Sequence, residues 1–85
     1  MVGERRGFAM FWPFLTTVKF KTQDGGVVRL QYAVSAIDRN HAKSELKRRI
    51  MKQEVFGYAV EKVIAATSLE ALALKLPERS VMLLS

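Results

Sequence analysis

There is no cysteine in this sequence of 85 residues. Disulfides, thiolate zinc sites and thiol redox chemistry are thereby excluded, and a small core has no covalent staple to support it. Histidine occurs once, as His41. A metal site needs three or four ligands, and no cluster of histidine and carboxylates stands at ligand spacing. Carboxylates are sparse, eight against fourteen Lys and Arg, for a net charge of +6. Seven of the eight have a local explanation: Asp24 in a turn, Asp38 and Glu70 at helix starts, and Glu45, Glu54, Glu61 and Glu78 on wetted faces. No two are set as a pair for general acid–base work. Gly25-Gly26 lacks the longer glycine pattern and the Lys-Ser/Thr pair of a phosphate loop. No apolar run approaches the roughly 18 residues that a membrane-spanning helix requires. The opening MVGERRGFAMFWPFL has a short apolar run broken by Pro13 and no small-residue cleavage pattern, so it does not read as a signal peptide. These absences lead us to expect a soluble cytoplasmic protein that is not an enzyme, with no catalytic residue, cofactor, metal, small-molecule substrate or membrane partner.

What is present suffices for a fold. An apolar fraction of 49% beside 26% charged residues argues for a folded chain rather than a disordered one. At this length folding buries about 60–65% of the unfolded surface, enough for one sheet-and-helix layer pair. We expect a flexible N-terminal arm over 1–10 and a single α+β domain over 11–85. Phe11, Trp12 and Phe14 cluster around Pro13, and their rings are expected to close the edge of the core.

Two strands follow. Phe14-Thr16-Val18-Phe20 alternates with Leu15-Thr17-Lys19-Lys21, and Val28-Leu30-Tyr32-Val34-Ala36 with Val27-Arg29-Gln31-Ala33-Ser35. The link Gln23-Asp24-Gly25-Gly26 is short and carries Asp-Gly, which suits positive backbone angles, so the runs should form an antiparallel hairpin. One face would be apolar, and the other would show Thr17, Lys19, Lys21, Arg29, Gln31 and Ser35.

The chain is organised around the next stretch, Asp38 to Gly57. Asp38 can cap a helix. Ala42, Leu46, Ile50 and Gln53 form one stripe, and Gly57 can take the left-handed conformation that stops a helix. Tyr58 to Ala66 reads as a third strand with poor alternation, because Val63 and Ile64 are adjacent. Thr67-Ser68-Leu69-Glu70 fits a capping box, opening a short helix over about Ser68 to Leu76 that ends before Pro77. Val81 to Leu84 can add a last strand. The order is β-β-α-β-α with a C-terminal strand, giving a three- or four-stranded antiparallel sheet packed on one face by the long helix. No motif ties the chain to a family.

Two surfaces are candidates for function. From Arg39 to Lys52 there are six bases and one acid, so the helix carries +5 of the chain's +6. At about 100° per residue, Lys43 and Lys47 flank one side of the apolar stripe and Arg48 and Lys52 the other, with Arg49 near the stripe. Lys19, Lys21 and Arg29 make a second, weaker patch on the sheet. A nucleic acid held there would be gripped by its phosphates without sequence readout. The other surface is apolar. Leu69, Leu72, Leu76, Met82, Leu83 and Leu84 exceed what a short terminal segment can bury, which marks an interface. Protein–protein association, including self-association into a homodimer, is therefore the first expectation, with non-specific nucleic-acid binding through the basic helix 39–52 as the alternative. His41 is expected to lie on the surface near the cap, with Asp38 as its neighbour.

Overall fold

The computed structural model describes residues 10–52 and 57–84, and the side chains of all of these except Met51 and Lys52. Residues 1–9 of the expected flexible arm, the stripe residue Gln53 and the side chain of Lys52 therefore lie outside the described residues.

Strands β1 (Trp12–Lys21) and β2 (Val27–Ala36) form the hairpin, followed by helix α1 (Arg39–Lys52), strand β3 (Tyr58–Ala65), helix α2 (Ser68–Leu74) and strand β4 (Val81–Leu84). The four strands make one antiparallel sheet in the order β3-β1-β2-β4. The fold is α+β, and the C-terminal strand is the fourth member of the sheet.

The period of two in the sequence maps directly onto the two faces of the sheet. Phe14, Thr16, Val18 and Phe20 are buried, and across the hairpin they sit opposite Val34, Tyr32, Leu30 and Val28. Ala42, Leu46 and Ile50 of α1 close the same core from above, each at most 1% exposed. The stripe read from sequence is thus the buried face of the helix. Thr16 is the one polar side chain among these residues of β1, and its hydroxyl donates to the Tyr32 carbonyl at 3.1 Å, which removes the penalty of burying it. Trp12 packs at the edge of the core with its indole N–H donating to the Ala66 carbonyl at 3.0 Å.

Three local expectations change. In the hairpin loop, Gly25 alone takes a positive φ, +89°, and its N–H donates to the Thr22 carbonyl at 3.1 Å. Asp24 instead accepts hydrogen bonds from the Thr22 hydroxyl and the Gly26 N–H. The short helix stops at Leu74 rather than Leu76, because Lys75 turns left-handed (φ 47°) and closes the end by donating to the Ala71 carbonyl. Ser35, expected on the wetted face, is only 2% exposed. Its strand is interior, flanked by β1 and β4, and its N–H donates to the Ser80 carbonyl at 2.8 Å.

The irregular third strand has a physical cause. Thr17 pairs with Lys62 but Val18 with Val60, leaving Glu61 as an extra residue. This β-bulge shifts the alternation by one, so Tyr58 and Val60 before it and Val63 after it all pack against the core.

Candidate functional site

The basic helix is fixed at its start by Asp38, whose carboxylate accepts the His41 N–H at 2.8 Å while its carbonyl accepts the Ala42 N–H at 2.9 Å. With Ala42, Leu46 and Ile50 turned inward, the charged residues flank the stripe on two sides. Lys43 and Lys47 lie towards β3, where they line a cavity of about 450 Å³ with Tyr58, Ala59 and Val60. Arg48 and Arg49 lie towards β4, lining a smaller cavity of about 150 Å³ with Glu45, Arg79 and Val81. Arg48 is ion-paired with Glu45. Arg79, itself left-handed (φ 58°) in the turn before β4, joins this group although its place in sequence gave no sign of it.

His41 has a partner that the sequence reading passed over. Its Nδ1 accepts the Ile37 N–H at 3.1 Å, and its Nε2 lies 3.5 Å from Glu45. Accepting at Nδ1 places the ring proton on Nε2, facing the carboxylate. Glu45 is four residues further along the helix, so the signal was the ordinary i,i+4 spacing. Phe11 meets the imidazole edge-on, with ring centroids 5.9 Å apart. The arrangement ties the helix start to the entrance of β1.

The second basic patch is on the sheet face away from α1. Lys19 and Arg29 are cross-strand neighbours. Arg29 is engaged: its Nε donates to Glu61 at 2.9 Å and its Nη2 at 3.4 Å. That hydrogen bond, with the charges of Arg29 and Lys19, holds the Glu61 carboxyl below its ordinary value. Lys21 ends β1 and is exposed.

The two patches are not separate. Lys19 and Lys21 line a cavity of about 310 Å³ with Gly57, Tyr58 and Ala59. Tyr58 and Ala59 also line the cavity bearing Lys43 and Lys47. Four lysines from two layers thus meet along the outer strand β3, with Tyr58 between them. Arg48 and Arg29 belong to other groupings. Tyr58 and Ala59, read from sequence only as strand residues, are what joins the patches.

The apolar candidates divide. α2 begins with the expected capping box, Thr67 accepting from the Glu70 N–H at 3.2 Å and Glu70 from the Thr67 N–H at 2.9 Å, but it has no buried residue. Leu69 is 80% exposed and Leu72 68%. On β4, Met82 pairs with Ala33 and Leu84 with Gln31, which puts both on the face away from α1. Leu83 pairs with Tyr32 on the helix side, yet it remains 52% exposed because β4 is the outer strand. Leu76 and Leu84 are half-buried.

Among the described residues, no group of three or more His, Cys, Asp and Glu side chains gathers as for a metal ion, and no helix is long and apolar enough to cross a membrane. No protein-family model matches the chain, and comparison with curated proteins and with solved structures finds no match.

Proposed function

We propose that the protein is a small non-catalytic binding module that works by protein–protein association, with a second copy of the chain as its partner. One observation carries this reading: the segment from α2 to β4 leaves Leu69, Leu72, Met82 and Leu83 exposed although each would gain by burial. The edge of the sheet at β4 supports it. Ser35 donates to Ser80 and hydrogen-bonded pairs recur every second residue, so Met82 and Leu84 bond inward and the backbone groups of Val81 and Leu83 point outward. β4 carries no charged side chain, and charge is what usually protects a free edge from pairing. A two-fold contact through this segment would enlarge a core that the chain alone keeps small.

The test is the double variant Leu69→Lys, Leu72→Lys. Both side chains are exposed, so the secondary structure should persist by circular dichroism while the dimer dissociates on sizing. A dimer unchanged in the variant would overturn the reading.

A further inference from the structure

We propose that the β3 edge holds the phosphate backbone of a single-stranded nucleic acid, independently of the association through α2 and β4. The backbone of β3 sets the frame. The Lys21 N–H donates to the Gly57 carbonyl at 3.1 Å, and in an antiparallel pair such bonds recur at every second residue. Ala59, opposite Lys19, is therefore the next residue bonded to β1, and the N–H groups of Tyr58 and Val60 face outward.

Lysines stand on both sides of those two outward donors. Lys43 and Lys47 line a cavity with Tyr58 and Val60 on the helix side, and Lys19 and Lys21 line one with Tyr58 on the opposite face of the sheet. Among the described residues, none of the four has a carboxylate in ion-pair contact. Glu61 adjoins Lys19 but is hydrogen-bonded to Arg29. Two cavities, about 450 and 310 Å³, share the Tyr58 and Ala59 wall, so the charged surface wraps continuously around one strand.

Charge complementarity decides the occupant. A second copy adding its own β3 here would bring four lysines against four, so this edge rejects the partner that the uncharged β4 edge accepts. A polyanion meets only attraction. A basic surface following one extended strand has the form of single-strand binding sites, where phosphates track the charge; Tyr58, half-buried against Phe20, leaves only its outer part for contact with a base. Backbone N–H groups are themselves good phosphate donors. The site differs from the charge of the helix as a whole: Arg48 is bound by Glu45 beside β4, and Arg29 by Glu61, so neither takes part.

The experiment is fluorescence anisotropy with labelled oligo(U) and oligo(dT) of about 12 nucleotides, within the span of known single-strand sites. At roughly four phosphate contacts the affinity should fall about 50-fold between 50 and 200 mM salt. Lys43→Gln with Lys47→Gln, and separately Lys19→Gln with Lys21→Gln, should each weaken binding about tenfold or more and lower the salt slope by about 1.4. Arg48→Gln should leave affinity within about twofold, since its charge is already paired. Absence of binding at the lower salt, equal weakening by Arg48→Gln, insensitivity to either lysine pair, or tighter binding to duplex than to single strand would overturn the proposal.

Discussion

Arg29 of β2 and Glu61 of β3 form an ion pair with an N–O distance of 2.9 Å, although strand β1 lies between them. The contact depends on the bulge, which leaves Glu61 out of the regular pairing so that its side chain can reach across Lys19. Glu61 thereby pairs with Arg29 and lies beside Lys19 without forming an ion pair with it.

The pair gives the first prediction. Hydrogen bonding from Arg29 depresses the Glu61 carboxyl, so its folded value lies below the ordinary carboxylate value. A depressed acid stabilises the fold at pH above that ordinary value, and the contribution disappears as pH falls through the folded value. Glu61→Gln should be slightly less stable than the parent at neutral pH in urea titrations, and the two should converge in strong acid. A difference that stays constant with pH would contradict the assignment.

Leu46 is wholly buried at the centre of the α1 stripe. Leu46→Asp should lower stability by several kcal/mol, about 3 or more, because an unpaired charge enters the core. Leu46→Ala should cost about 2–5 kcal/mol through the cavity it leaves. Thermal denaturation checks both. A normal melting temperature for Leu46→Asp would mean that another face of the helix is buried.

Gly57 sits at φ +59°, and an added Cβ would find its nearest neighbour, the Lys21 Cβ, at an ordinary 3.6 Å. Gly57→Ala should therefore pay only the backbone cost of a left-handed residue, about 1–2 kcal/mol. A much larger loss in denaturant titration would point to a steric clash instead.

Thr67 accepts the Glu70 N–H and so closes one side of the capping box. Thr67→Ala should cost about 1 kcal/mol. Because α2 has no buried residue, the loss should show as faster amide exchange within Ser68–Leu74 rather than across the sheet.

Much of this fold was legible because its signals are local. Alternation in β1 and β2, the spacing of Ala42, Leu46 and Ile50, and the Thr67–Glu70 box each depend on near neighbours in the chain. The bulge was visible only as a fault, the adjacent Val63 and Ile64, since the pairing that explains it lies on β1. The same holds for the lysines. Sequence spacing separates Lys19 and Lys21 from Lys43 and Lys47, and only the placement of β3 beside β1 and under α1 brings them to one edge. Arg79 was hidden for a like reason, because a left-handed turn, not a periodic element, carries it to Arg48 and Arg49. The exposed leucines, by contrast, were legible as a surplus: α2 is apolar on too many sides for a single small body to cover.

The most direct test of the account is the molar mass of the purified protein by light scattering, measured over a range of concentration to about 100 μM, since self-association follows mass action. The account predicts a mass rising to twice that of the chain, with Leu69→Lys, Leu72→Lys holding at the single-chain value. A parent protein that remains at the single-chain mass throughout would contradict it.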